Sequence, residues 1–360
     1  MRVRAGLPRG VSAVFFDEAR RRRQMEWRLS RALEQQGFDE VILPILDYYA
    51  PYETLLAEAE KERLYRFVDR GGQMLALRSD FTPLLARLLA QRLDPAALST
   101  APMRLFYRGD VVRHQETGPN RLRETSQLGA ELIAAPGALA DAALLEILLE
   151  VALGLIEAEL PAASGGGSAA SGSVAEVVLG YAGALTCLVA DCERRDELSA
   201  SVARRDRQAI REIGGARRDV LLEIVEDGLP ADLEALGAAA AGLREVVSVA
   251  DLFRQRAEGR GVAFSVDLAE FLPQGPQGQG GTGLHHEYYD GPVFRIYLPG
   301  AAEPLASGGR YDALFAALGA DVVAAGFSLG LDQLLDVSTN GVQQREATAE
   351  TASGDVEESR

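Results

Sequence analysis

The sequence predicts an α+β fold, an antiparallel sheet flanked by helices. Two observations carry this. Strand-like segments come as hairpins, whereas a parallel sheet needs a helix at each crossover. Long helical patterns stand apart from them, at the start of the chain, after the main strand pair and in one block of the second half. With 360 residues, 47% of them apolar, the chain can bury a large core.

The elements follow in order. Residues 1–10 form an extended arm ending in a Leu-Pro-Arg-Gly turn. From Val11 to Gln36, Phe15, Ala19, Met25, Leu29 and Leu33 recur at helical spacing, Arg20 to Arg23 form a solvated face and Gly37 is the stop. Val41 to Leu43 predicts a buried strand before Pro44. Leu64–Val68 and Met74–Arg78 form a hairpin around Asp69-Arg70-Gly71-Gly72. Thr82-Pro83 opens a helix that runs to Leu93. Arg104 to Ala134 reads as two antiparallel strands joined by a polar loop, and a helix follows from Ala138 to Glu159. Residues 162–173, AASGGGSAASGS, are a flexible connection. A short strand at Val177–Leu179 precedes a block at 182–258, rich in Ala, Leu, Glu and Arg, read as a helical insertion. Val262–Val266 resumes strand, and a flexible loop spans Leu272 to Gly283. His285–Leu298 is strand-like, a helix lies near Tyr311–Leu318, and Ala325–Leu335 gives a last strand and helix. Residues 1–337 thus read as one body, and 338–360 as a disordered acidic tail.

The charge balance is 37 basic against 53 acidic residues, net −16, which argues against nucleic acid as the main partner. Cys187 and Cys192 match neither a disulfide framework nor a metal spacing and are expected as buried free thiols. His285 and His286 are adjacent on a strand and point to opposite faces, so no metal site is expected. Gly308-Gly309 and the Gly275–Gly283 loop lack the strand–loop–helix form of a phosphate loop, and no cofactor is expected. The N-terminus has no signal-peptide run and no stretch is long enough for a membrane span, so a cytoplasmic protein is expected.

One segment points to a site. Arg113 stands near the end of the first strand of the 104–134 pair, and Gln127, Gly129 and Glu131 share one face of the second. An Arg, a Gln and a Glu on one sheet face make a polar ligand floor. The arginine suits a carboxylate or phosphate, and Glu131 suits an ammonium.

Four segments resemble the histidyl-tRNA synthetase family, of the class II aminoacyl-tRNA synthetase-like fold. Leu64 to Gly72 with Leu77 to Thr82 resembles its hairpin and ligand loop. Arg104–Glu131 resembles motif 2, Glu287 to Phe294 the histidine-recognition strand, and Ser307 to Asp312 with Gly326 to Asp332 motif 3. The resemblance covers nearly all of residues 5–335. It implies a histidine-binding site lined by Asp80, Thr82, Arg113, Gln127, Glu131, Tyr288 and Tyr289, with Asp80 standing where the family usually has Glu.

The departures fall on the ATP side. Thr125 stands where motif 2 places an aromatic residue under adenine, and Gln115 replaces a Glu. Gln333 stands where motif 3 places a triphosphate-clamping arginine. Gly283-Leu284-His285-His286 lacks the arginine that opens the recognition strand, and the sequence stops where an anticodon-binding domain is expected. No catalytic residue is therefore assigned. A synthetase body with the amino-acid pocket but not the ATP clamp is similar to the regulatory-subunit family of ATP phosphoribosyltransferase. That likeness implies a short-form catalytic subunit as partner, a homodimer within a larger hetero-oligomer, L-histidine as ligand, and a role in histidine biosynthesis. The alternatives from sequence are a histidyl-tRNA synthetase-like enzyme that activates an amino acid with ATP, and a ligand-free scaffold.

Overall fold

The computed structural model describes residues 6–92, 102–115, 122–159, 174–183, 188–189, 192–271, 288–299, 301 and 303–335. The expected connections at 162–173 and 272–283, His285, His286, Cys187 and the tail from 338 lie outside the described residues. The strands in chain order are β1 (Asp39–Glu40), β2 (Leu46–Tyr48), β3 (Arg66–Val68), β4 (Met74–Leu77), β5 (Met103–Val112), β6 (Glu124–Ile133), β7 (Ala175–Tyr181), β8 (Val262–Val266), β9 (Pro292–Tyr297), β10 (Ala306–Arg310) and β11 (Ala324–Gly330). Eight form one sheet in the order β1–β5–β6–β11–β10–β9–β7–β8, and β2, β4 and β3 form a second.

From β5 to β7 every neighbouring pair in the large sheet is antiparallel, as the hairpin pattern requires. Both edges differ from a purely antiparallel sheet, because β1 pairs parallel to β5 and β8 parallel to β7. A parallel neighbour needs a long crossover, and the helical block at 182–258 supplies one between β7 and β8.

The sheet is covered on both faces. On one lie α1 (Phe16–Gln35), α5 (Ala138–Glu159) and α9 (Ala240–Ala257). Leu29, Leu148 and Phe253 from these helices pack with Leu128, Phe327 and Ile296 from the strands in one core. Helix α5 is apolar on most sides because it is enclosed by the sheet, α1 and α9. On the other face lie α4 (Thr82–Ala90) and the short α10 (Asp312–Ala317). Helices α2 (Ala50–Leu55) and α3 (Glu58–Glu62) connect β2 to β3 of the small sheet. Helices α6 (Arg195–Ala203), α7 (Arg207–Ile213) and α8 (Arg218–Asp227) pack around their own cluster, which includes Leu198, Ile210 and Ile224. Asp206 caps α7 by accepting from Ala209 N at 3.0 Å. Gly228 ends α8 at φ 81°, with its missing Cβ facing Val266 O, so that only glycine fits there.

Three expectations are corrected. The strand at 39–40 stops before Val41–Leu43, and Ile42 is 89% exposed. Val41 N still donates to Phe106 O at 2.8 Å, after which the chain leaves the sheet towards Pro44. The arginine face of α1 is not uniformly solvated. Arg22 turns inward and pairs with Asp110 at 3.0 Å, tying α1 to β5. Cys192 is a free thiol but half-buried rather than buried.

The back face also carries a buried ion pair. Arg310, at the end of β10, donates to Asp141 Oδ1 and Oδ2 on α5 at 2.5 and 3.2 Å and to Ala135 O at 3.2 Å. Burial raises the Asp141 pKa to about 6, against the pull of Arg310. The paired geometry fixes the strand end to the helix.

Candidate functional site

The second strand of the main hairpin sets the site by its alternation. On β6, Leu128, Ala130 and Leu132 enter the helix-covered core, so Gln127, Gly129 and Glu131 face the opposite side. Glu131 is 1% exposed on the floor of that side. Three hydroxyls donate to its carboxylate, Thr82 Oγ1 at 2.8 Å and Tyr107 OH at 3.0 Å to Oε1, and Tyr311 OH at 2.6 Å to Oε2. Burial pushes its pKa up to about 7, with the three hydroxyls pulling the other way and the nearby Asp80 adding to the rise. The carboxylate lies directly over Gly326 of β11, where a Cβ would occupy the position of Oε2. Tyr107 lies in the same way over Gly129 and stacks on Phe81 with ring centroids 4.2 Å apart.

The start of α4 forms the near wall. Asp80 Oδ1 accepts from Thr82 N at 3.1 Å, which orients the first turn and aims the Thr82 hydroxyl at Glu131. Tyr288 OH donates to Asp80 Oδ2 at 3.1 Å. An aromatic wall closes this side. The ring centroids of Tyr288 and Tyr289 are 5.0 Å apart, and that of Tyr311 is 5.8 Å from Tyr288 and 6.5 Å from Tyr289. Asp290 holds this segment to α10 by accepting from Asp312 N at 3.0 Å and Ala313 N at 2.5 Å.

Arg113 sits one residue beyond β5, in an isolated bridge with Leu64, and is 5% exposed. Burial lowers its pKa, and the charge of Asp80 opposes that. Gln127, 3% exposed, pairs with Gly109 on β5 and Gly330 on β11. Of the seven expected site residues, hydrogen bonds join Asp80, Thr82, Glu131 and Tyr288 directly. Tyr289 joins by ring contact, Arg113 through the field of Asp80, and Gln127 by its place on the same face.

Two residues of this cluster escaped the sequence reading, Tyr107 and Tyr311. Tyr107 was legible by parity, since it lies in register with Gly129 and so on the site face. Tyr311 directly follows the Gly308-Gly309-Arg310 run, but nothing local shows that its hydroxyl crosses to β6. Arg78, inside the expected ligand loop, has a structural task instead. It donates to Leu43 O, Pro44 O and Asp110 O and lies 3.8 Å from the Phe81 ring centroid.

Towards the end of β5, where Arg113 stands beyond Val111, two further positions are neutral. Thr125, in register with Val111, shares the face of Gln127 and offers no ring for stacking. Gln333 folds back over Gly330, its amide oxygen resting where a Cβ would stand. It offers neither charge nor a fork for a phosphate. Among the described residues no group of three or more His, Cys, Asp or Glu side chains is placed to hold a metal ion. No helix in the same residues is long and apolar enough to cross a membrane.

The family model for histidyl-tRNA synthetase matches residues 10–334. An ATP phosphoribosyltransferase regulatory subunit of Moorella thermoacetica is 33% identical over 348 residues, covering 91% of this chain and 81% of that protein. A crystal structure of an ATP phosphoribosyltransferase regulatory subunit/histidyl-tRNA synthetase from Bacillus halodurans superposes with a TM-score of 0.71 at 23% identity, covering 93% of this chain and 84% of that one. A chain of an ATP phosphoribosyl transferase (HisG:HisZ) complex from Thermotoga maritima superposes with a TM-score of 0.59 at 18% identity, over 86% and 97% of the two chains. At these identities the two structures establish a shared class II synthetase-like fold.

Proposed function

This chain belongs to the ATP phosphoribosyltransferase regulatory subunits, on a histidyl-tRNA synthetase framework, and we propose that it serves as the non-catalytic regulatory partner of a short-form ATP phosphoribosyltransferase. It activates the enzyme that joins ATP to phosphoribosyl pyrophosphate, the first step of L-histidine biosynthesis, in the cytoplasm. It also binds L-histidine and passes that signal on. The observation that carries this reading is the asymmetry of the site floor. The inner end keeps Glu131 with three hydroxyl donors, whereas towards the end of β5 Thr125 and Gln333 are neutral and leave Arg113 as the buried cation.

The geometry favours one orientation of histidine. Glu131 lies deep among aromatic rings, which suits an imidazole whose N–H donates to the carboxylate. Asp80 and Arg113 lie nearer the end of β5 and suit the ammonium and carboxylate of the amino acid. Feedback follows if histidine binds the active and inactive complexes unequally, since a ligand of equal affinity shifts nothing.

The same chain pairs with a second copy of itself. The small sheet supports this with an apolar face that no other described residue covers. Leu46, Tyr48 and Phe67 are 44%, 58% and 42% exposed there, and on α1 Phe16 and Trp27 are 87% and 64% exposed. Light scattering at micromolar concentration is expected to give a dimer, and Tyr48→Asp with Phe67→Asp a folded monomer. A wild-type monomer, or a double variant that still pairs, contradicts this surface.

The function is tested by adding the purified chain to a short-form catalytic subunit. Turnover should rise severalfold and become inhibited by histidine. A catalytic subunit whose rate and histidine response are unchanged, with the chain in excess, removes the proposal.

A further inference from the structure

The two edges of the large sheet are built differently. One is β1, two residues long, whose Asp39 and Glu40 are both exposed acids. Shortness and charge guard an edge against pairing with another strand. The other is β8, five residues long. From Gly261 to Val266 it carries no charge and no proline.

The backbone shows which part of this edge is open. Val174 N donates to Gly261 O at 2.7 Å, and Asp267 N to Leu179 O at 2.9 Å. Backbone groups alternate along a strand, so Gly261, Ala263, Ser265 and Asp267 bond towards β7, and Val262 and Phe264 turn their N–H and C=O away from it. Among the described residues no strand pairs with that side. Gly228 closes the far end by lying against Val266 O, whereas a Cβ at Gly259, near the other end, would meet nothing within 4 Å. Beside the edge runs an open groove lined by Arg254, Gln255 and Glu258 of α9. Arg254 on its rim is engaged, pairing with Asp251 at 2.9 Å and lying 5.3 Å from the Phe264 ring centroid.

Two outward residues separated by one make a self-complementary edge. An antiparallel copy sets Val262 against Phe264 of the copy and Phe264 against its Val262, and every outward N–H and C=O of both residues then has a partner. Opposite residues share a face, and Val262 and Phe264 pack with the core under α9, so that face gains apolar pairs of a β-branched and an aromatic side chain. On the other face Ala263 meets Ala263 of the copy and Gly261 meets its Ser265, all small enough for the close spacing of a non-hydrogen-bonded pair. We propose that β8 is a second self-association surface, at which two copies join their large sheets edge to edge about a two-fold axis at Ala263. This contact is separate from that of the small sheet and does not rest on the histidine pocket.

Sedimentation of the purified full chain over a concentration series tests it. So short an edge buries less than a standard interface, and the mass should double only between about 10 μM and about 1 mM. The starting mass reports on the small sheet and the doubling on β8. Over the same series the Val262 and Phe264 amides should pass from fast to slow hydrogen exchange. Ala263→Lys and Ala263→Glu should each keep the low-concentration mass, because like charges then face each other across the axis. Ala263 is half-buried on a face it shares with the exposed Glu176, so neither variant should lose its fold. An equimolar mixture of the two should double again, which a merely damaged protein does not do. A wild-type mass that stays constant overturns the proposal, and so do Val262 and Phe264 amides that exchange at one rate throughout. A variant that associates like wild type, or a mixture that regains nothing, overturns it as well.

Discussion

Glu131→Gln should weaken histidine binding by about two orders of magnitude while the protein stays folded. The substitution keeps the side chain's shape and removes the charge that accepts the ligand's N–H, and a hydrogen bond to a charged group contributes about 1.5–3 kcal/mol. Glu131→Ala is a poorer test, because it leaves the Thr82, Tyr107 and Tyr311 hydroxyls without their acceptor. Each buried hydroxyl so stranded costs about 1–3 kcal/mol, so Ala removes stability along with function. The same carboxyl has a pH signature. Its pKa is raised in the folded protein from 4.5 to about 7. The folded state therefore holds the proton more tightly than the unfolded chain. The resulting stability is fully present below pH 4.5 and is lost as pH rises through 7, an interval worth about 3 kcal/mol at most. Wild type should lose stability to urea across that window more steeply than Glu131→Gln. Parallel slopes contradict the assignment.

Asp141→Ala should destabilise the fold by about 3–5 kcal/mol, because it leaves the Arg310 guanidinium buried without its bidentate partner. Urea unfolding measures this, and a loss under about 1 kcal/mol contradicts the role given to the pair. The effect should exceed that of breaking an exposed pair such as Arg254–Asp251, which is worth under about 1 kcal/mol. Replacing both Asp141 and Arg310 with apolar residues should recover much of the loss, since the damage comes from a buried charge left with only the longer 3.3 Å contact to Asp312.

The sequence reads well wherever the information is local. Alternation along β6 separates Glu131 from Leu128 and Leu132 without any structure, and helix α5 begins and ends where its pattern does. What it cannot read is which distant strands become neighbours. The pocket floor arises because β11 lies beside β6, which brings Gly326 under Glu131 and Tyr311 to its second oxygen. Ile42 shows a related limit. An apolar run predicts burial, but the chain leaves the sheet after Val41 and Ile42 is exposed. Arg22 shows the converse, as a charge run reads as solvated until the partner on β5 is known. The neutral side chains of Thr125 and Gln333, where the resemblance places an aromatic residue and an arginine, are visible from sequence. That Gln333 folds onto Gly330 needed coordinates.

The central claim is that a synthetase framework retains an amino-acid pocket and has given up the nucleotide. Calorimetric titration of the purified chain with L-histidine, with ATP titrated in parallel, tests it most directly. Saturable histidine binding at one site per chain, weakened by about two orders of magnitude in Glu131→Gln, and no heat from ATP are expected. Tight ATP binding, or no histidine binding in the chain and in its complex with the catalytic subunit, contradicts it.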